Sequence, residues 1–319
     1  MPSAVQLAAI GPEPSLAVID VPDPKPEHGR TLVAFAAAEV APIDVQIATG
    51  QIPGIPPPPL LPGGTAAGTV LESGVHPAGT LAYVSGGPHG MGTRTPGTFA
   101  EVVNASDDAV FPLPNGLDPE TAAAGVSSAT AARYALIDHA GVQAGETILV
   151  LGATGSVGSA AIQLAVALGA KVLAVARRPE RVQTGLGVQA LAFDGFAEAV
   201  AEATEGVGVA AIIDTVGGPY MEESIRSGGP RCRHVVLGYT AGTDTMVNLP
   251  LMSVKEHRLL GMNTNRPTPE RRAELMSEVL DDLAVRRVQP RIGERFTLSA
   301  VADAYRADGS AGRILLVAG

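Results

Sequence analysis

Glu146-Thr147-Ile148-Leu149-Val150-Leu151-Gly152-Ala153-Thr154-Gly155-Ser156-Val157-Gly158 opens the stretch on which the rest of the chain is organised. It continues as Ser159 to Leu168, breaks at Gly169, and resumes as Lys171-Val172-Leu173-Ala174-Val175-Ala176-Arg177-Arg178. The short continuous apolar run before Gly152 reads as a buried parallel strand. Ile162, Val166 and Gly169 then fall at helical spacing, with Gly169 placed to stop the helix. A second apolar run follows. This is a βαβ unit with its glycines in the first turn, where a dinucleotide pyrophosphate can sit on a helix N-terminus.

Each glycine has a physical task. Gly152 permits the tight turn off the strand, Gly155 lets backbone N–H groups approach a diphosphate, and Gly158 lets the helix pack closely on the sheet. Ala153, Thr154, Ser156 and Val157 complete the expected contact loop. The literal pattern is Gly-x-x-Gly-x-x-Gly, so the usual first glycine of the fingerprint is shifted. The second strand bears on which dinucleotide binds. A site for NAD has a carboxylate near that strand's end, for the ribose 2′-hydroxyl. Here the strand ends in Arg177-Arg178, with Arg181 beyond and no carboxylate before Glu180. Guanidinium groups suit a 2′-phosphate, so NADPH is the expected cofactor.

The chain has 319 residues, enough for two domains, and 46% of them are hydrophobic. A net charge of −10 argues against nucleic acid or an anionic membrane as partner. Cys232 is the one cysteine, which rules out an intramolecular disulfide and a four-cysteine zinc site. No signal peptide and no membrane-length apolar run is read, so a reducing, cytoplasmic setting is expected.

Residues 1–119 read as β-rich. Apolar runs at Ala4–Ile10, Leu16–Val21 and Thr31–Ala38 are separated by Pro- and Gly-rich turns, a pattern that predicts a small barrel. Pro53 to Pro62 is a proline-dense connector, and Ser85 to Gly97 is a loop with five glycines. Asp118-Pro119-Glu120 signals a helix start, and Thr121 to Ile137 is expected to be helical. Beyond the βαβ unit, strands are expected at Ala190–Phe193, Val209–Val216, Arg233–Tyr239 and Arg258–Met262, with a helix at Phe196–Ala203. Alternating strands and helices predict an α/β fold with a doubly wound parallel sheet. The tail adds a helix, Pro269–Arg286, and a strand, Gly312–Val317. The expected division is 1–119 with 263–319 as one discontinuous domain, and 120–262 as the dinucleotide-binding domain.

In this order of motifs the chain resembles the medium-chain dehydrogenase/reductase superfamily, in its zinc-independent, quinone-oxidoreductase-like branch. The resemblance rests on Ala41-Pro42-Ile43-Asp44, Pro62-Gly63-Gly64 to Val70, Gly97-Thr98-Phe99-Ala100-Glu101, Ala129-Thr130-Ala131, Gly145 to Gly158, Asp214-Thr215-Val216-Gly217-Gly218, and Gly312 to Val317. It covers nearly the whole chain. It implies a GroES-like barrel domain, a Rossmann domain with the cofactor in the cleft between them, and hydride transfer from NADPH to a carbonyl, quinone or activated alkene. It also implies a homodimer formed by strand addition at the Rossmann sheet edge, with Val247–Arg258 as the edge segment.

By the same resemblance Asp44, Ser127 and Thr130 line the nicotinamide side, each alternatively a cap or a structural hydrogen-bonding group. Val216, Gly217, Gly238 and Tyr239 stand at strand ends where such sheets bind ligands. The cysteine and histidine that hold zinc in the superfamily's alcohol dehydrogenases have no counterpart at Pro42–Asp44 or Gly63-Gly64, so no metal is expected. The tyrosine and lysine of many relatives are replaced by the Gly50-Gln51-Ile52 segment and Ser127, which leaves the proton donor open. Other readings are an enoyl-thioester reductase of the same superfamily, or a protein that holds NADPH without turning it over.

Overall fold

A computed structural model describes residues 1–185 and 187–319. The chain divides into two compact units, 1–127 with 276–319, and 128–275.

The first unit begins with an antiparallel pair, β1 (Ser3–Ala9) and β2 (Ser15–Asp20). Next come β3 (Arg30–Glu39), α1 (Pro42–Ala48), β4 (Thr65–Glu72), β5 (Leu81–Ser85), β6 (Val102–Ser106) and β7 (Val110–Pro112). α2 (Pro119–Arg133) follows, its N-terminus capped by Asp118, which accepts the Thr121 N–H at 2.9 Å. It runs on into a π-helical turn over Tyr134–His139.

The second unit holds β8 (Thr147–Leu151), α3 (Ser156–Ala167), β9 (Lys171–Val175), β10 (Val188–Leu191), α4 (Phe196–Ala203), β11 (Val209–Asp214), α5 (Met221–Ser227), β12 (Gly228–Val236), α6 (Leu249–Lys255) and β13 (Arg258–Gly261). Its six strands are all parallel, in the order β10-β9-β8-β11-β12-β13. Ile148, Leu149, Val150 and Leu151 are fully buried, as the unbroken apolar run requires of a strand covered on both faces. Leu149, Leu151, Leu173, Val175, Phe196 and Ile212 share one core cluster. Burial of each large side chain stabilises by about 1.5–3 kcal/mol.

α7 (Pro269–Ala284) leads back to the first unit, burying Leu275, Met276, Val279, Leu280 and Leu283 at helical spacing. The division of the chain falls within α2 and α7, whereas the expected boundaries stood at the head of α2 and ahead of α7. β14 (Ile292–Thr297), α8 (Val301–Arg306) and β15 (Arg313–Val317) complete the chain. They extend a seven-stranded sheet ordered β14-β15-β3-β4-β5-β7, with β6 also on β3. β15 lies antiparallel to β3, and across them Arg313 pairs with Glu39 at 2.6 Å, both largely buried.

Three expectations need correction. The segment Val247–Arg258 is not a sheet edge but is helical over Leu249–Lys255, where the Asn248 side chain accepts the Leu251 N–H. The edge strand on that side of the parallel sheet is β13, from Arg258 to Gly261. β12 begins at Gly228 rather than Arg233 and ends at Val236, so Gly238 and Tyr239 lie beyond it. The helix expected over Thr121–Ile137 changes to π geometry from Tyr134, where the Ala140 N–H reaches back to the Ala135 carbonyl. Among the described residues, no helix is long and apolar enough to cross a membrane.

Close packing sets the start of α3. A Cβ on Gly158 would lie 2.3 Å from the Gly152 carbonyl oxygen and 3.1 Å from the Ala153 Cα, both backbone atoms. A Cβ on Gly155 would meet only the Gly152 oxygen, at 3.2 Å. Gly158→Val is therefore expected to destabilise by at least about 3 kcal/mol, the upper part of the range for overpacking, while Gly155→Val stays within about 1 kcal/mol of wild type. Urea unfolding of the two variants measures the difference, and equal losses would contradict it.

Candidate functional site

The strand order locates the site in the second unit. From β8 the chain moves outward through β9 to β10, then returns to β11 on the other side of β8 and proceeds to β12 and β13. β8 and β11 thus flank the point where the winding reverses, and such sheets bind ligands beyond the carboxyl ends of the strands at that point. The turns after these two strands form the candidate site.

The turn after β8 is rigidly made. Gly152 adopts φ +76°, and its N–H and that of Ala153 both donate to the Val175 carbonyl at 3.0 Å. Ala153 and Gly158 are buried, while Thr154 and Gly155 are exposed. The Gly155 N–H donates to the Gly152 carbonyl at 2.9 Å, so it is already engaged within the turn. The free donors are those of the first turn of α3, on Ser156, Val157 and Gly158. No side chain caps this helix start. Three convergent N–H groups and the positive end of a helix suit an anion.

The turn after β11 is locked to the first. Thr215 Oγ1 donates to the Leu151 carbonyl at 2.8 Å, and a Cβ on Gly152 would lie 2.2 Å from that hydroxyl. Asp214 Oδ1 accepts the N–H groups of Val216 and Gly217 at 2.8 and 2.9 Å. The Val216 carbonyl accepts the Ala241 N–H at 2.9 Å. The backbone donors of Val216 and Gly217 are thus spent internally, which leaves side-chain and shape contact to Val216 and Gly217. A Cβ on Gly238 would lie 2.2 Å from the Thr215 carbonyl oxygen, so Gly238 packs against this turn, and Tyr239 beside it is exposed.

At the end of β9, Arg177, Arg178 and Arg181 are all exposed. Pro179–Arg181 forms a single tight helical turn closed by Arg181 N–H to the Arg178 carbonyl, 3.0 Å. The Ala176 N–H bonds to Leu191, which ties the end of β9 to β10.

The three residues expected on the nicotinamide side stand on two helices. Ser127 is exposed and Thr130 half-buried, three residues apart on α2. Asp44 lies in α1, buried, where its Oδ2 accepts the Ala41 N–H at 2.9 Å and so caps the helix. Burial pushes its carboxyl up to about 7; the Ala41 N–H lowers it and the Glu39 carboxylate raises it further. Burial, and then Asp44, raise the neighbouring Tyr305, whose buried hydroxyl has no hydrogen-bond partner among the described residues. Tyr305 carried no signal in the sequence. His234 and His257, for which the sequence offered no signal either, extend in line from Asp214.

The donor set for a metal is poor. Cys232 is fully buried within β12, and burial pushes its thiol up to about 12. Among the described residues no three His, Cys, Asp or Glu side chains are grouped to hold an ion. A catalytic zinc needs three protein ligands, and these residues do not fit one.

Comparison with known proteins matches both units. Residues 27–115 match the alcohol dehydrogenase GroES-like domain, and residues 156–281 match the zinc-binding dehydrogenase family. Quinone oxidoreductase-like protein 2 of Bos taurus is 30% identical over 290 residues, covering 88% of this chain and 81% of the relative. Quinone oxidoreductase of Mus musculus is 28% identical over 321 residues, covering 96% and 95%. Among solved structures, a probable oxidoreductase from Mycobacterium abscessus is 28% identical with a TM-score of 0.84, covering 99% of each chain.

The raised Asp44 carboxyl gives a pH test. Its folded value, about 7, lies above the ordinary 3.8, so the folded state favours the protonated form. That contribution is complete below the unfolded value and is lost as pH rises through about 7. Asp44→Asn retains an acceptor for the Ala41 N–H and does not titrate. The melting temperature of the variant relative to wild type should therefore rise by several degrees between pH 5 and pH 8. A constant difference across that range in thermal melts would show that Asp44 is not held protonated.

Proposed function

The chain belongs to the medium-chain dehydrogenase/reductase superfamily, in its quinone-oxidoreductase-like branch, and from that premise we propose an NADPH-dependent oxidoreductase that reduces a quinone or an activated alkene or carbonyl without zinc. The observation that carries the cofactor choice is the end of β9. Three exposed guanidinium groups gather where an NAD site has a carboxylate, and the first acidic residue, Glu180, comes after two of them.

In this reading the N–H groups of Ser156, Val157 and Gly158 hold the diphosphate at the α3 N-terminus, where the helix dipole favours its charge. Gly155 leaves space for that approach, since a Cβ there meets nothing but the Gly152 oxygen. Arg177, Arg178 and Arg181 grip the 2′-phosphate. Val216, Gly217, Gly238 and Tyr239 form the wall beyond β11 and β12. Bound NADPH supplies a hydride, and the protein supplies binding, orientation and electrostatics. Asp44, Ser127 and Thr130 are the side chains proposed for the nicotinamide side. A quinone needs little acid catalysis, because its reduced form is a stabilised anion; an enone or enoyl thioester needs a proton at carbon.

The unfit donor set supports a metal-independent reaction. The proposal extends to a homodimer through the edge strand β13. Leu259 on that strand is 41% exposed, and Met246, Leu249 and Val254 nearby in sequence are 71–90% exposed. Sedimentation as a monomer at micromolar concentration would remove this part.

Steady-state NADPH oxidation with a panel of quinones and enones, run with and without a strong chelator, tests the activity. Turnover with at least one acceptor class, unchanged by the chelator, is expected. Binding without turnover would make the protein a cofactor holder, and activity lost with a stoichiometric metal would end the zinc-free reading.

NADPH should also bind well over tenfold more tightly than NADH, since each charge-assisted contact to phosphate contributes about 1.5–3 kcal/mol. Changing Arg177 and Arg178 together to alanine should erase that preference and leave NADH binding nearly unaltered. Equal wild-type affinities in a fluorescence titration would refute the choice of NADPH.

A further inference from the structure

A buried polar chain stands behind the turn after β11. Asp214 and His234 are fully buried, and His257 is 7% exposed. Asp214 Oδ2 lies 3.4 Å from His234 Nε2, and His234 Nδ1 lies 3.3 Å from His257 Nε2. The chain thus runs from β11 through β12 to the residue just ahead of β13. A parallel sheet core normally excludes such groups, and apolar replacements are often neutral or stabilising. Three polar side chains in line here need a reason.

The protons can be placed from the network. Asp214 already accepts two backbone N–H groups on Oδ1, so it acts as a carboxylate and His234 carries its proton on Nε2. His234 Nδ1 is then an acceptor, which takes the proton on His257 Nε2. His257 Nδ1 is left as a buried lone pair with no partner among the described residues. Burial alone would raise the Asp214 carboxyl, but the His234 hydrogen bond and the Gly217 and Val216 N–H groups outweigh it and hold it below its usual value. Burial, together with His234 and Lys255, depresses His257 to about 4. The other titratable neighbours are the Cys232 thiol of β12 and Lys255 of α6, whose Nζ donates to the Arg226 and Gly228 carbonyls.

The far end of the chain is the turn itself. Asp214 holds Val216 and Gly217, Thr215 bonds to Leu151, and Gly217 sits at φ +63° and ψ −153°, a conformation that only glycine adopts readily. Such a conformation persists only where its surroundings over-determine it. We infer that His234 is a positioning residue: through Asp214 it fixes the Thr215–Gly218 turn, and with it one wall of the dinucleotide site. This rests on the cofactor reading above.

The test compares NADPH dissociation constants and melting temperatures of full-length variants. His234→Leu removes the donor to Asp214 and should weaken NADPH about tenfold or more. His234→Gln, whose side-chain amide can present an N–H in place of Nε2, should stay within about threefold of wild type. His257→Leu removes a buried polar group but spares the His234–Asp214 bond, so its melting temperature can change while its NADPH affinity stays at the wild-type value. That separates positioning from general stability. Should His234→Leu not fold, His234→Phe serves: its ring fills the space of the imidazole without a donor to Asp214, and the same tenfold loss is expected.

Wild-type affinity in His234→Leu or His234→Phe, with Gly155→Val unable to bind, would overturn this inference and leave the cofactor site standing. Equal losses in His234→Leu and His234→Gln would overturn it as well. Failure of the wild type to bind NADPH would instead remove the cofactor reading, and the inference with it.

Discussion

The contact between the turns after β8 and β11 is the constraint on which the second unit depends. Thr215 donates to the Leu151 carbonyl and occupies the space that a side chain on residue 152 would need. Each turn is thereby the template for the other. Gly152 takes a left-handed conformation and its oxygen packs beneath Gly158, which leaves no room for a side chain there at the start of α3. The free donors of the helix can converge on one anion only because this geometry is held from behind.

The two units place their polar groups differently. In the second unit, buried polarity is concentrated behind the β11 turn, where Asp214 is satisfied by two N–H groups and one imidazole. In the first, Asp44 has one backbone donor, and a second carboxylate, Glu39, raises it further. The same residue type is thus held charged at one place and pushed towards neutrality at the other, decided by hydrogen bonds and burial rather than by sequence neighbours.

Much of this could be read from residues alone. The strand-turn-helix-strand at 146–178 is legible because apolar runs and glycines agree at every level, and α4 is found with the bounds that its sequence suggests. The misreadings have physical causes. Gly228, Gly229 and Pro230 look like punctuation, yet they begin β12, since Gly229 packs against the Val207 carbonyl and Gly208 against Gly229. The Val247–Arg258 segment is helical because Asn248 caps it, a local bond outweighing its branched residues. His234 and His257 were invisible because nothing in one chain reveals that residues 23 positions apart share a buried line with Asp214.

The buried pair of Glu39 and Arg313 joins β3 to β15, the last strand. In sequence, β3 and β15 are separated by the whole of the second unit. The second unit is continuous in sequence and needs nothing beyond residue 275 to close its sheet. Domains generally fold as units while the chain emerges. By that rule the second unit can close its sheet without β15, whereas the first cannot. Without β15, β3 is left with the Glu39 carboxylate unpaired and part of its edge open, so the first unit is the one whose closure depends on strands from both ends of the described sequence.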